Sequence, residues 1–369
     1  MTQIVCFSES KWSADPKRTQ HLMRLLGNVE IIYFEFTVVD SLTNALRRST
    51  EESAREPRPG VSVLRVPPIY YLDSGTSIPE KWTQRRAAQF ISQEVGARSL
   101  RDVLLWVATP VGAHFMDIIP QRTLIYDCAE SWERYPTQLE SRLACEADMV
   151  FAASVNLREH VAPCNQHVYL LPNGVNYDLY ARGASEDTPL DQAVIGLRRP
   201  VFAYFGDVKR SVRFEPLLYA AQNNPEWTFL IVGRERNNVA LADLKKCRNV
   251  HFLGYRAPSE VPGCLAGCDA CIELQHNDIS DEDVLTERML MYFAAEKPVA
   301  DMYPRRYVPE FPDVVYGGQT EEEFEHACLQ AGNELGQRKR QLRREYARMA
   351  DWNLRATALQ SILHENGVL

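Results

Sequence analysis

The sequence predicts an α/β protein made of two doubly wound domains. Short runs of β-branched and aromatic residues alternate with helical stretches, and most of these runs are apolar almost without interruption. Such runs are typical of parallel strands that helices cover on both faces. The pattern breaks at the polar stretch RGASEDTPLDQ and restarts near Pro200. A chain of 369 residues is also long enough for about two domains.

Each half of the chain contains its own series of predicted strands. In the first half they lie at residues 3–8, 29–36, 62–67, 103–108, 123–128, 149–154 and 167–172. Crossover helices fit between them, for example at 16–26 and 79–95. In the second half the strands lie at residues 200–206, 228–233, 250–254, 270–274, 298–301 and 314–318.

These series define the predicted domains, with a boundary near residues 174–198. We expect a Rossmann-like N-terminal domain at 1–175 and a Rossmann-like C-terminal domain at 176–350. A closing helix at 351–369 is predicted to pack back on the N-terminal domain. In doubly wound sheets, ligands bind beyond the carboxyl ends of the strands.

Composition excludes several classes of protein. With 41 Lys and Arg against 49 Asp and Glu, the net charge is −8, which argues against a nucleic-acid partner. No apolar run approaches the roughly 20 residues of a membrane span, and MTQIVCFSES reads as a first strand and not as a signal peptide. The 9 cysteines lack zinc-site spacing and are interpreted as thiols of a reducing cytoplasm.

Glycine followed by a cation recurs at the ends of predicted strands in the second half. Glycine lets a ligand approach the backbone closely, and a cluster of cations would neutralise a diphosphate. A solvated basic loop is the alternative. The residues concerned are Gly206, Lys209, Arg210 and Arg213 after the first strand, Gly233 and Arg234 after the second, and Gly254, Tyr255 and Arg256 after the third.

A short helix near residue 286 is predicted to point its N-terminus at the same edge. Leu285, Met289 and Phe293 are four residues apart, which places them on one helical face. Thr286, Glu287 and Arg288 stand at the helix start, where free N–H groups and the helix dipole favour an anion. Asp283 or Glu287 could instead accept hydrogen bonds from sugar or ribose hydroxyls.

The order of several segments resembles a known family. The chain resembles retaining GT-B glycosyltransferases in the segments EADMVFAASVNLREHV, YLLPNGVNYDLY, NPEWTFLIVG, NVHFLGY and YFAAEKPVA. More narrowly, it is similar to the bacterial cell-surface polysaccharide type, such as the teichuronic-acid biosynthesis glycosyltransferases, in SKWSADPKRTQHLMRLL, LLWVATPVGAHF and LIYDCAESW. The resemblance covers nearly the whole chain.

The resemblance implies a two-domain GT-B fold with a cleft, a hexosyltransferase activity and no metal or other cofactor. It implies a nucleotide-sugar donor, with UDP-sugar favoured, on the C-terminal domain and a glycan or lipid-linked acceptor on the N-terminal domain. Carried over by position, Lys209, Arg210 and Arg213 would meet the diphosphate. Thr286, Glu287 and Arg288 would form the helix cap at the diphosphate, and Arg234, Tyr255 and Arg256 would lie near the base and ribose.

Two positions depart from the family pattern. Many relatives carry a Glu-x(7)-Glu motif, whose first position falls here at Asp283 and whose second is Met291. The usual glycine before Lys-Pro is Glu296, at a place where a left-handed helix cap is expected. The departures keep alternatives open: a non-catalytic GT-B-fold subunit, a glycan-binding protein, or a sugar-nucleotide epimerase.

The N-terminal half offers candidates for handling the acceptor. Asp127 and Glu130 follow a strand, and their spacing would put both carboxylates on one side if the segment turned helical. A carboxylate there could take a proton from an acceptor hydroxyl, together with His21. The remaining candidates for acceptor binding are Arg18, Thr109 and Gly112.

Two basic segments bear on localisation. Residues 81–86 and 337–348 are rich in Lys and Arg and could attract the anionic inner face of a membrane. Solvated helix faces explain them better, because acidic neighbours dilute both segments. The expected location is the cytoplasm, with peripheral membrane association as an additional possibility.

Overall fold

The computed structural model describes residues 2–13, 15–46, 54–71, 77–132, 135–236, 238–274, 285–302 and 314–369. The chain forms two compact units. Unit 1 comprises Met1–Pro172 and Arg355–Leu369, and unit 2 comprises Asn173–Leu354. Each unit contains its own sheet, in which all pairings but one are parallel, as the repeated βα pattern predicts.

Unit 1 is built on an 8-stranded sheet in the order β10-β9-β8-β7-β1-β2-β5-β4. Every pairing in it is parallel except that of β4 with β5. The direction of winding reverses between β1 and β7, which makes that point the switch of a doubly wound sheet. The strands, including the small β3–β6 pair, are β1 (Thr2–Ser8), β2 (Val29–Glu35), β3 (Val38–Val39), β4 (Ala54–Arg58), β5 (Val61–Arg65), β6 (Ile69–Tyr70), β7 (Val103–Val107), β8 (Gln121–Cys128), β9 (Met149–Ala152) and β10 (Val168–Leu170).

Helices cover the apolar strands of unit 1. The longest of those in this unit up to Pro172 begins with a capping box, in which Ser77 and Glu80 each bond the other's backbone N–H. Inside the core, Trp106 stacks on Phe151 at 5.6 Å. The helices are α1 (Arg18–Leu25), α2 (Leu42–Leu46), α3 (Ile78–Ala97), α4 (Thr137–Glu146) and α5 (Val155–Val161), with 3-10 turns at Pro110–His114 and Met116–Ile118.

Strand β4 is an element that the apolar pattern does not predict. Its residues, AREPR, are all exposed, and it runs antiparallel to β5 at the sheet edge. An edge strand made of charged residues and proline discourages pairing with another chain. Because β4 has no buried face, its sequence carries no alternation by which to recognise it.

Unit 2 has a 6-stranded parallel sheet in the order β13-β12-β11-β14-β15-β16. Counted from its first strand this is the dinucleotide-binding order 3-2-1-4-5-6, with the switch point between β11 and β14. The strands are β11 (Val201–Phe205), β12 (Thr228–Val232), β13 (Val250–Gly254), β14 (Ala270–Glu273), β15 (Val299–Asp301) and β16 (Val315–Gly317).

The central strand β11 explains the unbroken apolar runs. Ala203 and Phe205 pack into the core on one face of the sheet, whereas Phe202 and Tyr204 pack into the core on the other. Both faces are therefore covered by helices, as predicted. The helices are α6 (Tyr177–Tyr180), α7 (Glu215–Asn223), α8 (Leu241–Leu244), α9 (Val261–Ala266), α10 (Glu287–Ala294), α11 (Glu321–Gly332) and α12 (Gln337–Met349), with 3-10 turns at Ala181–Ala184 and Gln192–Val194.

The last helix, α13 (Trp352–Glu365), leads the chain from unit 2 into unit 1. Within unit 1, Gln360 donates from Nε2 to the carbonyl of Leu25 at 3.1 Å. Arg122 donates to the carbonyl of Val368 at 2.7 Å. The C-terminal segment is thus tied to α1 and to β8.

Helix α10 ends in a left-handed residue that is not glycine. Glu296 has a φ of 58°, and the amides of Glu296 and Lys297 bond back to Phe293 and Tyr292 at 2.9 Å, as in a Schellman motif. A side chain disfavours this conformation by about 1–2 kcal/mol. Its carboxylate lies 3.0 Å from Arg344, which offsets part of that cost.

We expect Glu296→Gly to raise the free energy of unfolding by about 1 kcal/mol, because glycine adopts this conformation without strain. The matched control is Glu296→Ala, which removes the Arg344 contact but keeps the Cβ atom. Urea unfolding of both variants measures the difference. An alanine variant as stable as the glycine variant would contradict the assignment of strain to Glu296.

Candidate active site

The three glycine-containing strand ends lie side by side at the carboxyl edge of the unit 2 sheet. The amide of Gly206 donates to the carbonyl of Val232 at 2.9 Å, and the amide of Gly233 donates to that of Gly254 at the same distance. The recurrence seen in the sequence therefore corresponds to neighbouring backbone segments in space.

Two of these glycines are required by the protein's own packing. A Cβ atom on Gly233 would lie 2.0 Å from the carbonyl oxygen of Gly206. A Cβ atom on Gly206 would lie 2.7 Å from both the guanidinium of Arg288 and the hydroxyl of Tyr204. Close approach is thus the reason for glycine, as expected, but the approaching groups shown here belong to the protein itself.

The loop after β11 presents its cations on a fixed backbone. Asp207 accepts a hydrogen bond of 2.8 Å from the amide of Arg234, which joins this loop to the end of β12. Asn238 donates to the carbonyl of Lys209 at 2.7 Å and to that of Val212 at 2.9 Å. The side chains of Lys209 and Arg210 are exposed, and that of Arg213 is half-buried.

Arg288 lies at the switch point between β11 and β14, where a carboxylate binds it. Its Nε donates to Glu273 Oε2 at 2.8 Å, and its Nη2 bonds the other carboxylate oxygen. Its Nη1 donates to the Tyr204 hydroxyl at 3.2 Å and to the Phe205 carbonyl at 3.3 Å. The forked geometry links the end of β14, the end of β11 and the start of α10.

This ion pair is largely removed from water. The Arg288 side chain is 17% exposed and that of Glu273 is 1% exposed. Burial, the largest single influence, would lower the pKa of Arg288, but the charge of Glu273, its hydrogen bonds and the nearby Tyr204 hydroxyl together hold that pKa well above its usual value. Burial raises the pKa of Tyr204, whose ring lies 5.0 Å from the guanidinium. Arg288 therefore stays charged, with Glu273 as its counter-ion.

The other predicted donor residues occupy distinct places. The guanidinium of Arg234 lies 4.1 Å from the centre of the Tyr255 ring, a cation–π contact at the ends of β12 and β13. Arg256 donates to Asp191 at 2.8 Å and to the Leu253 carbonyl at 2.6 Å, and the hydrogen bond from Arg256 lowers the pKa of Asp191. Arg256 also lines a cavity of about 840 Å³.

The start of α10 agrees with its prediction. Thr286 is the N-cap residue, and its hydroxyl accepts from the amide of Met289 at 3.2 Å. Glu287 is the first helical residue and is partly buried. Met291, at the position of the second motif glutamate, is 7% exposed and packs in the apolar core. Asp283 lies outside the described residues.

In unit 1 the acceptor candidates separate into buried and exposed groups. Asp127 is the penultimate residue of β8 and is fully buried, and Arg18 binds its Oδ1 through Nε at 3.0 Å. Glu130 is exposed in a bend beyond the strand, so the helical turn that would have aligned the two carboxylates does not form. His21 is half-buried one turn after Arg18 on α1.

Glu9 is a candidate residue that the sequence does not predict. It follows β1 at the switch point of unit 1, and it accepts hydrogen bonds from the hydroxyls of Thr109 and Tyr135, the latter at 2.7 Å. Thr109 is fully buried. Gly112 is needed for packing, because a Cβ atom there would lie 2.6 Å from Val107. An isolated glutamate after a strand gives no signal in the sequence until its two partners are known.

The chain is similar to a described bacterial protein. It is 25% identical over 278 residues, or 68% of each chain, to TuaH of Bacillus subtilis strain 168, which is provisionally described as a teichuronic acid biosynthesis glycosyltransferase. This similarity confirms the resemblance found in the sequence. No known family model matches the chain.

Solved structures share the fold over nearly the whole chain. A UDP-forming α,α-trehalose-phosphate synthase from Burkholderia vietnamiensis has a TM-score of 0.73 at 10% identity, with 99% of this chain and 98% of that one covered. Sucrose-phosphate synthase from Thermosynechococcus elongatus has a TM-score of 0.69 at 13% identity, with 99% of each chain covered. HepE of Anabaena, solved with UDP and glucose, has a TM-score of 0.63 at 15% identity, with 99% and 100% covered. The predicted GT-B fold is confirmed.

The described residues were also searched for two other kinds of site. None of the helices in the described ranges is long and apolar enough to cross a membrane. Within the same ranges, no three or more His, Cys, Asp or Glu side chains gather in a way that could hold a metal ion.

Proposed function

We propose that the chain is a glycosyltransferase that moves a sugar from a nucleotide-diphosphate donor to a cell-surface polysaccharide or lipid-linked acceptor. One observation carries the proposal: a cationic loop, the N-terminus of α10 and two closely packed glycines meet at the switch point of a sheet with dinucleotide-binding strand order. Ligands of open α/β sheets bind at that point, and these groups suit a diphosphate.

The donor diphosphate is assigned to the loop after β11. Lys209 and Arg210 are exposed at its tip, and Arg213 stands half-buried at its base. Together they would neutralise the diphosphate as it leaves, without a metal ion, which is electrostatic stabilisation by groups already in place. Arg288 adds less net charge because Glu273 compensates it, so we assign it mainly to positioning Gly206 and the α10 N-terminus.

The acceptor is assigned to the carboxyl edge of the unit 1 sheet. Glu9 is partly exposed and oriented by Thr109 and Tyr135, so its carboxylate can accept a hydrogen bond from an acceptor hydroxyl. Glu130 and His21 are retained as further candidates. Asp127 is too deeply buried against Arg18 to meet a substrate directly, and we assign it to holding the start of α1.

Comparisons with relatives support a UDP-sugar donor, retention of configuration and a polysaccharide acceptor. Two structural neighbours are described as UDP-forming or as bound to UDP. For trehalose-6-phosphate synthase, a further neighbour, glycosyl transfer with retention is described. The name of TuaH refers to teichuronic acid biosynthesis. We place the protein in the cytoplasm, since none of its cysteines forms a disulfide, and we include peripheral association with the inner face of the membrane in the proposal.

A non-catalytic GT-B-fold subunit is the second candidate, and a specific observation favours it. Met291 is buried in the core, at the position where the family pattern has a glutamate. Glu273 already accepts hydrogen bonds from the guanidinium of Arg288. Both features remove groups that could hold a donor. A nucleotide-binding measurement separates the two candidates, because the non-catalytic subunit is expected to bind no nucleoside diphosphate at about 1 mM, a concentration equivalent to only about 4 kcal/mol of binding free energy.

We expect Arg210→Ala/Arg213→Ala to weaken UDP binding at least tenfold, or about 1.4 kcal/mol, because two charges that face the diphosphate are lost. Calorimetry on the full chain measures the dissociation constant. The matched control is Arg198→Ala/Arg248→Ala, which removes two exposed arginines before β11 and β13 at the opposite edge of the sheet. Equal affinities in the two double variants would move the diphosphate site elsewhere.

A further inference from the structure

Unit 1 contains a cavity lined by arginines that the proposed donor site does not use. It has a volume of about 480 Å³ and lies between the β1–α1 loop, α1 and the edge strand β4. We call it the arginine cavity. Its lining residues are Trp12, Ser13, Arg24, Arg55, Pro57 and Arg58.

Two of its cations are held by backbone carbonyls and not by acids. Arg24 donates to the carbonyl of Ser13 at 2.8 Å, and Arg58 donates to the carbonyl of Arg24 at 3.0 Å. Neither forms an ion pair with any acid of the described ranges. A guanidinium has five N–H donors, so most donors of both groups remain available to a ligand.

The third cation has only a shared counter-ion. Arg55 lies 2.7 Å from Oε1 of Glu35, whose other oxygen lies 3.5 Å from Arg65. Glu35 is 1% exposed and its Oε1 also accepts from the amide of Trp12 at 2.6 Å. The buried carboxylate of Glu35 is therefore already engaged by these partners. The charged side chains that line the cavity are all arginines.

The position of Arg24 is electrostatically unfavourable for a charged guanidinium. Its guanidinium lies 5.2 Å from the centre of the Trp12 ring. Partial burial and the neighbouring charge of Arg58 both lower the pKa of Arg24. Like charges that are held together and partly desolvated are stabilised by a bound anion, which indicates a ligand-binding arrangement.

We propose that the arginine cavity binds an oxyanion, a phosphate or carboxylate group, carried by the acceptor. Planar guanidinium groups bind both oxyanions through paired hydrogen bonds. Trp12 and Arg55 place one end of the cavity at the carboxyl end of β2, because both bond the carboxylate of Glu35, the last residue of that strand. This inference rests on the proposed function and makes the acceptor an acidic one.

The test uses inorganic phosphate and glucuronate as probes, titrated calorimetrically into the full chain. The titration is made in the Arg210→Ala/Arg213→Ala background so that the proposed donor site does not compete. We expect at least one probe to bind, and we expect Arg24→Gln/Arg58→Gln to weaken that binding about tenfold or more, as for lost hydrogen bonds to a charged group. Without probe, the variant should melt at the same temperature as its parent or higher, because a repulsion is removed.

The matched control is Arg101→Gln/Arg158→Gln, which removes two exposed arginines elsewhere in unit 1 and should leave probe affinity unchanged. Tighter binding of phosphate would indicate a phosphate-bearing acceptor, and tighter binding of glucuronate a uronate-bearing one. Absence of binding by both probes at about 10 mM, weaker than about 3 kcal/mol, would overturn the inference, as would equal affinities in the two double variants.

Two further measurements distinguish this inference from the proposed donor site and from binding to a lipid surface. UDP affinity, measured with Arg210 and Arg213 intact, should be the same with and without Arg24→Gln/Arg58→Gln, so failure of the arginine cavity leaves the proposed function standing. Sedimentation with phosphatidylglycerol vesicles tests a lipid surface. Vesicle binding that disappears in the Arg24→Gln/Arg58→Gln variant would overturn the assignment to an acceptor.

Discussion

Glu273→Gln is expected to lower the free energy of unfolding by about 3 kcal/mol, since it leaves the Arg288 charge without its buried counter-ion. The carboxylate is 1% exposed, so water cannot replace it. Arg288 still donates to the Tyr204 hydroxyl and the Phe205 carbonyl, and the glutamine amide can replace one carboxylate oxygen but not the negative charge. Urea unfolding followed by tryptophan fluorescence measures the loss.

The double variant Glu273→Leu/Arg288→Met distinguishes this ion pair from simple packing. Removing both charges restores an apolar contact of similar size, and such replacements are often neutral. We therefore expect the double variant to lie within about 1 kcal/mol of the parent protein. A single variant that loses under 1 kcal/mol would show that water or another group solvates Arg288.

The double variant Glu273→Leu/Arg288→Met also tests whether Arg288 contacts the donor diphosphate. If Arg288 only positions Gly206 and the start of α10, the folded double variant should bind UDP within about threefold of the parent, under 1 kcal/mol. A tenfold or larger loss in a stable double variant would instead show that Arg288 meets the diphosphate directly, with Glu273 displaced on binding.

The strands were predictable because burial on two faces leaves a strong local signal. In β11, five consecutive apolar residues divide between two cores, and no charged residue interrupts them. The exposed β4, AREPR, has no such signal. Its place is set by pairing with β5, which is tertiary information.

The sequence predicted that the glycine-containing strand ends lie side by side, but it did not predict the charge balance at that edge. The sequence shows a cation at Arg288, yet its partner Glu273 stands fifteen residues earlier at the end of a different strand. Likewise, Glu9 acquires meaning only from Thr109 and Tyr135, at sequence separations of 100 and 126. Which charge compensates which is decided by the sheet order, and no local pattern contains it.

Asp127→Asn is the second substitution with a large expected effect, a loss of about 3 kcal/mol in the free energy of unfolding. Asp127 is fully buried and Arg18 is 8% exposed, with Nη2 and Oδ1 2.9 Å apart. The neutral amide removes the charge that Arg18 faces and leaves the guanidinium buried. Thermal unfolding of the full chain measures the loss, and exposed Glu159 on α5 provides the control, Glu159→Gln, which should leave stability unchanged.

A double variant that replaces both Arg18 and Asp127 decides between two roles for Asp127. If the carboxylate only holds the start of α1, then Arg18→Met/Asp127→Leu should regain most of the stability and keep UDP binding and donor turnover. If Asp127 instead takes a proton from the acceptor, the double variant should be stable and bind UDP but fail to transfer.

Glu9 is the group that we expect to take the proton from the acceptor hydroxyl. It follows β1, which only β7 separates from β8 in the sheet order. Glu9→Gln should then lower transfer at least tenfold, about 1.4 kcal/mol in the barrier, with stability preserved.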